Sequence, residues 1–169
     1  SHHVRMGTML EVVLVEPQIA GNTGNIIRLC ANVGSQLHLV RPLGFSLDAA
    51  ALRRSGLDYH ELVDTQVWDT WQECRAALGT DRRWFATTTH PPHRRYDRVD
   101  YRDGDAIVFG CEATGLGEEL LARFSTDARL HIPMRPSNRS VNLANSVSIV
   151  PYEAWQQHGL AGAASAPFE

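Results

Sequence analysis

The sequence predicts an α/β domain of three layers, with a mostly parallel sheet held between helices. Three observations carry that expectation. Short apolar runs such as 10–15 (Leu-Glu-Val-Val-Leu-Val) and 106–109 have the composition of strands covered on both faces. Between such runs, apolar residues recur at helical spacing. The two kinds of segment alternate along the chain, as they do in layered α/β proteins. The 169 residues suit a single domain with a core large enough to need no disulfide.

Taken in order, 1–8 contains His2 and His3 and reads as an expression-tag remnant. The first strand, 10–15, ends at Glu16-Pro17. Gly21 to Asn25 reads as a polar turn, and Ile26, Ile27, Leu29, Cys30 and Val33 follow at helical spacing, with Gly34 as the stop. A strand over 36–40 completes a βαβ unit, whose crossover is expected to be right-handed. Residues 47–54 read as a short helix and 69–78 as a longer one closed by Gly79. A strand over 84–88 leads into an irregular segment, 90–101, rich in Pro, His and Arg. Strand 106–109, helix 118–124, strand 130–132 and a final helix over 142–158 complete the pattern. The domain therefore spans 9–158, and 159–169, rich in Ala and Gly, reads as a flexible tail.

Composition narrows the class. The formal charge is −3, so nothing draws the whole molecule to nucleic acid. Every fixed cation is nonetheless an Arg, with pairs at Arg53-Arg54, Arg82-Arg83 and Arg94-Arg95 as candidate RNA contacts. Cys30, Cys74 and Cys111 have no C-x-x-C spacing, which argues against a zinc site and suits reduced thiols in a cytoplasmic protein. No run is apolar for long enough to cross a membrane.

Ligands in open α/β sheets collect beyond the carboxyl ends of the strands, and three polar loops follow strands directly. The first holds Asn22, Gly24 and Arg28; the second Gly110, Glu112, Gly115 and Leu116; the third runs from Ile132, Pro133 and Met134 to Ser140, Val141, Asn142 and Leu143. None is the G-x-G-x-x-G of a dinucleotide site, so a nicotinamide oxidoreductase is a poor match. The glycines of the second loop permit positive φ and close backbone approach. Ser and Asn before the last helix are also preferred N-caps, so capping competes with ligand binding as their role.

Taken together, Asn22-x-Gly24-x3-Arg28, Gly110-x-Glu112-x2-Gly115-Leu116 and Ile132-Pro133-Met134…Ser140-Val141-Asn142-Leu143 resemble the three motifs of the SpoU branch of the SPOUT methyltransferases. The stretch from Asn22 to Asn32 and Gly56-Leu57-Asp58-Tyr59-His60 are similar to the small bacterial tRNA (cytidine/uridine-34) 2′-O-methyltransferases. The resemblance implies a deep C-terminal trefoil knot, a homodimer, and S-adenosyl-L-methionine as cofactor with S-adenosyl-L-homocysteine as product. It implies no metal. Matched residue by residue, the cofactor would meet Thr87, Gly110, Glu112, Ile132, Met134 and Ser140. The substrate would be the wobble ribose of a tRNA anticodon stem-loop, with Asn22, Arg139 and Asn145 on the RNA side or bracing the loops. Alternatives are another tRNA or rRNA ribose, and a catalytically silent knotted RNA-binding relative.

Methyl transfer to a hydroxyl is an in-line displacement that depends on alignment and on removal of the hydroxyl proton. The resemblance gives Arg28, Ser140 and Asn142 the catalytic roles. A guanidinium stays protonated in proteins and cannot accept that proton. Arg28 is therefore read as orienting the substrate phosphate and hydroxyl, with Ser140, Asn142 or the phosphate helping proton removal. The chain departs from the subgroup pattern at Cys111, Ala113 and Thr114, where Pro, Thr or Ser, and Arg are expected. It also carries Ala144 in place of Ser, and Pro151, which is expected to bend the last helix.

Overall fold

A computed structural model of the chain describes residues 10–48, 50, 54, 56, 64–138 and 140–166. Seven strands, β1 (Leu10–Val15), β2 (Gln36–Val40), β3 (Thr65–Trp68), β4 (Trp84–Thr87), β5 (Arg94–Arg95), β6 (Asp105–Phe109) and β7 (Arg129–His131), form one sheet in the order β3-β2-β1-β6-β4-β7-β5. All six pairings are parallel. The described helices are α1 (Ala20–Val33), α2 (Trp71–Leu78), α3 (Glu118–Leu121) and α4 (Leu143–Gln157).

The period of two along the strands divides the core. Leu10, Val12 and Leu14 of β1 join Ile107 and Phe109 of β6 in one cluster, which Ile26, Ile27 and Cys30 of α1 and Val147, Val150 and Ala154 of α4 cover. Val13 and Val108 turn the other way, onto Trp71 and Cys74 of α2 and Phe124. β1 and β6 are buried on both faces, which is why each carries a single polar residue. Helix α2 starts with a side-chain N-cap: Thr70 Oγ1 accepts the Glu73 N–H at 3.1 Å.

Three expectations change. Residues 21–25 are not a turn but lie within the first two turns of α1, which begins at Ala20. Asn and Gly are weak helix formers, but here Thr23 and Gly24 are buried and the helix start is held by a distant carboxylate described below. The four-residue β3 was not foreseen; its side chains are all only half-buried, so its apolar signal is weak. Arg94–Arg95, two charged residues inside the segment read as irregular, form edge strand β5. Most of the expected helix at 47–54 lies outside the described residues. Helix α4 matches expectation, with Asn142 as N-cap and the buried Pro151 inside it. From Gly159 to Ala163 the tail turns back on α4, and Trp155 Nε1–H donates to the Ala161 carbonyl at 2.9 Å.

The pairs Arg82-Arg83 are structural rather than RNA-facing. Arg82 donates to the carbonyls of Leu78 and Gly104, and Arg83 pairs with the buried Asp105. Hydrogen bonds to Asp105 and its negative charge push the Arg83 pKa up. No described helix is long and apolar enough to cross a membrane.

Candidate active site

Because β4, β6 and β7 are adjacent and parallel, the loops leaving their carboxyl ends emerge side by side. They enclose a cavity of about 290 Å³, at the lower end of the roughly 300–1,000 Å³ usual for small-molecule sites. One wall is Thr87 to His90, the second Phe109 to Leu116, and the third Leu130, Ile132, Met134, Ser140, Val141, Leu143 and Ser146. Thus all six residues matched to a cofactor, Thr87, Gly110, Glu112, Ile132, Met134 and Ser140, line one space. Of the lining, Thr88, Thr89 and Ser146 were not singled out from sequence, and Leu116, Val141 and Leu143 were named only as motif positions, not as cavity walls. Threonines after a strand and apolar residues before a helix look the same in any α/β protein.

The second wall is a tight turn. Gly115 has φ +69°, its N–H donates to the Cys111 carbonyl at 3.0 Å, and Cys111 and Gly115 form an antiparallel bridge. The turn folds back over Gly110, where a Cβ would fall 2.1 Å from the Gly115 carbonyl carbon. The close approach that Gly110 permits is therefore to the chain's own backbone.

Glu112 joins the first motif to the second. Its carboxylate accepts the N–H groups of Gln18 at 2.8 Å and Ile19 at 2.6 Å, and lies 3.4 Å from Asn22 Nδ2. Asn22 Oδ1 in turn accepts from Asn142 Nδ2 at 3.3 Å. Asn142 Oδ1 caps α4 by accepting from Ala144 N–H at 2.8 Å and Asn145 N–H at 3.3 Å. One residue from each of the three motifs thus belongs to a single hydrogen-bonded chain. Capping of α4 falls to Asn142, while Ser140 is exposed at the cavity.

Other candidates stand apart. Arg28 is exposed on α1, outside the cavity wall, and donates to the Gly56 carbonyl at 2.6 Å. That carbonyl belongs to the first residue of the Gly-Leu-Asp-Tyr-His stretch; the other four, His60 among them, and Arg139 lie outside the described residues. Asn145 is exposed in the first turn of α4, and its carbonyl accepts from Ser148 Oγ at 2.7 Å. The third loop reverses at Ser137, whose φ of +67° is a strained conformation for a residue with a side chain.

Beside the cavity the rings of His93 and His131 stack at 4.0 Å. Burial, and next the neighbouring His93, hold the His131 pKa below the usual histidine value. His131 Nδ1 is buried without a hydrogen-bond partner among the described residues. Neither ring of this stacked pair is among the residues that line the cavity. Among the described residues no group of three or more His, Cys, Asp or Glu is placed to hold a metal ion.

The thiols offer a check on the cavity. Burial pushes Cys30 and Cys74 up to about 12, with the charge of Glu11 adding to the shift at Cys74. Cys111 is partly exposed in the cavity wall. Iodoacetamide at pH 8 is therefore expected to alkylate Cys111 alone, because the thiolate is the reactive form. Peptide mass mapping should find one modified cysteine of the three. Equal labelling of Cys30 or Cys74 would contradict the burial described.

Comparison with known proteins agrees with this geometry. Residues 9–152 match the model of the SpoU rRNA Methylase family. A relative from Methylovorus glucosotrophus, named tRNA (cytidine(34)-2′-O)-methyltransferase, is 52% identical over 155 residues, covering 92% of this chain and 99% of that protein. A solved structure concerned with 2-OH methylation of C/U34 on tRNA superposes with a TM-score of 0.81 at 41% identity, covering 90% of this chain and 97% of its own. A SpoU methyltransferase from Streptomyces viridochromogenes, in complex with the cofactor AdoMet, superposes at 0.73 with 26% identity, covering 95% of this chain and 61% of its own. The chain belongs to the SpoU rRNA Methylase family.

Proposed function

We propose that the protein transfers a methyl group from S-adenosyl-L-methionine to the ribose 2′-hydroxyl of the wobble nucleotide, position 34, of tRNA. The observation that carries this reading is the convergence of the loops after β4, β6 and β7 on one cavity, tied through Glu112, Asn22 and Asn142 to the helix that bears Arg28. The relative and the solved structure named for position 34 supply the substrate. The AdoMet complex of the more distant methyltransferase supplies the cofactor.

The cavity suits that cofactor. Leu116, Leu130, Ile132 and Leu143 offer apolar walls to a purine, and the turn at 110–115 offers main-chain groups for its polar edge. The cofactor would supply a methyl group activated on a positively charged sulfur; the protein's task is alignment. Glu112 fixes the second loop, and Ser140 and Met134 edge the third. Both ends of the Asn142 amide are engaged, Oδ1 by the first turn of α4 and Nδ2 by Asn22, which favours a bracing role over proton removal. Arg28, on the exposed side of α1, is placed to take a substrate phosphate in a bidentate contact. Asn145 and Arg139 would complete the RNA side.

The reading includes a homodimer and a C-terminal trefoil knot. Ile19 and Tyr152 expose apolar surface on the layer of α1 and α4, which favours a second copy there. The match in fold to the SpoU methyltransferases favours the knot. A cytoplasmic location follows from a tRNA substrate and from thiols that need no pairing.

Mass spectrometry of nuclease-digested tRNA tests the assignment. Incubation of unmodified tRNA with the protein and S-adenosylmethionine is expected to add one methyl group, on the ribose of nucleotide 34. A methyl group elsewhere, or none, overturns it. Arg28→Lys keeps the charge but loses the planar fork, and kcat/KM is expected to fall about 100-fold. Retention of most of the rate would rule out bidentate positioning.

A further inference from the structure

Helix α1 has no cap of its own. Its N-cap residue, Ile19, makes no side-chain hydrogen bond, and its first turn contains no acidic residue. The Glu112 carboxylate reaches in from the cavity loop, at a sequence separation of 94 from Gln18, and takes the two N–H groups that immediately precede the helix. One oxygen takes the Gln18 N–H and the other the Ile19 N–H, so the negative charge also faces the positive end of the helix dipole. The attachment is returned: Ala113 N–H donates to Gln18 Oε1 at 3.1 Å. From the other side Gly44 closes on the same residue, its N–H donating to the Pro17 carbonyl at 2.9 Å. A Cβ at Gly44 would fall 2.5 Å from the Gln18 carbonyl oxygen. The helix start is thus clamped between two loops, one of which is a wall of the cavity.

We infer that Glu112 is a positioning residue. Its carboxylate couples the cavity loop to α1, and occupation of the cavity thereby sets the placement of Arg28. Each carboxylate oxygen already accepts a main-chain N–H of the helix start, which leaves the group poorly disposed to serve as a cofactor ligand. The arrangement carries a direction as well. A molecule seated against residues 110–116 tightens the loop, the loop holds the first turn of α1, and a continuous helix of 14 residues carries that order to Arg28. The inference rests on the methyltransferase reading for the meaning of Arg28, but the clamp itself does not.

The test uses the full chain with Glu112→Gln and Gln18→Ala. Gln18 does not line the cavity, so its substitution leaves any cofactor contact intact. Amide hydrogen exchange, calorimetric titration with S-adenosylhomocysteine and S-adenosylmethionine, and steady-state methylation of an anticodon stem-loop are the readouts. In the unaltered protein, S-adenosylhomocysteine is expected to slow exchange of the Gln18 and Ile19 amides at least tenfold. In Glu112→Gln that protection disappears. Both variants are expected to lose five- to tenfold in kcat, with KM for RNA and the cofactor Kd within threefold of the unaltered values. A rise of tenfold or more in cofactor Kd for Glu112→Gln, with amide exchange unchanged, makes the carboxylate a ligand and overturns the inference. Faster exchange with unaltered kcat overturns it as well, because the clamp would then position nothing that matters. Absence of methylation at position 34 in the unaltered protein brings down the methyltransferase reading instead, while ligand-induced protection still decides whether the clamp couples cavity to helix.

Discussion

Gly110→Ala is expected to weaken cofactor binding sharply. A Cβ at this position would lie 2.1 Å from both the Gly115 carbonyl carbon and the Leu116 nitrogen, and 2.6 Å from the Gly115 Cα. Those are backbone atoms of a turn closed by the Cys111–Gly115 bridge, so no side chain can rotate away to make room. Relief requires the turn to lift off β6, which takes the Leu116 side of the cavity with it. Overpacking of this kind costs about 3 kcal/mol in stability. Cofactor affinity should fall about 100-fold, or roughly 2.8 kcal/mol. Calorimetric titration with S-adenosylmethionine measures the second quantity and denaturant unfolding the first. A variant that binds within threefold of the unaltered protein would show that the turn moves freely, against the geometry described.

Glu11→Ala is expected to be the most destabilising change away from the site. Glu11 is 1% exposed in β1, with Oε2 2.9 Å from His38 Nε2 and Oε1 3.8 Å from an Arg82 nitrogen. Trp68 Nε1–H donates to His38 Nδ1 at 3.0 Å, so Nε2 carries the histidine proton and donates it to the carboxylate. Three neighbouring strands are therefore joined by side chains as well as by their backbones. Truncation leaves the His38 N–H without its acceptor and Arg82 without its counter-charge. Leaving a buried donor without its charged acceptor costs about 3 kcal/mol, which for a domain of this size is a fall of roughly 10 °C in Tm. Glu11→Gln keeps an acceptor for His38 and should lose less than half as much. Thermal unfolding of both variants checks the order; a loss under 1 kcal/mol for Glu11→Ala would mean that the network contributes little.

The layout was legible where periodicity was strong. Strands β1, β2 and β6 are five or six residues long and, but for a half-buried Val15, buried along their whole length. Burial on both faces makes an apolar run conspicuous. β3 and β5 are edge strands of four and two residues, and half-exposed side chains leave no such run. Gly21 to Asn25 was misread because propensity is local, whereas the forces that keep those residues helical come from Glu112 and from packing against α4. Of the site, the loops after β6 and β7 were legible as ligand loops and all six cavity residues followed from the family resemblance, whereas the loop after β4 was not among the three named and the Asn22–Arg28 stretch lies in α1, outside the cavity wall. The function of each side chain could not. Glu112, matched to the cofactor, is hydrogen-bonded to a helix start; Asn142, matched to the chemistry, is a cap; the Arg82-Arg83 pair, kept as an RNA contact, supports the sheet.

The amino-acid sequence by itself determined the α/β class, the two cavity loops that follow β6 and β7, and the family to which the three motifs belong. These depend on hydrophobic period and on short runs of residues whose order survives without any knowledge of the third dimension. Only the tertiary structure decided which polar groups satisfy one another. A carboxylate or an amide is drawn to whichever donor or acceptor lies within 3 Å or so once the strands are packed. For Glu112 that donor is 94 residues away, and for Asn142 the partner Asn22 is 120 away. Hydrogen bonds act over ångströms of space, and spacing along the chain carries no record of them.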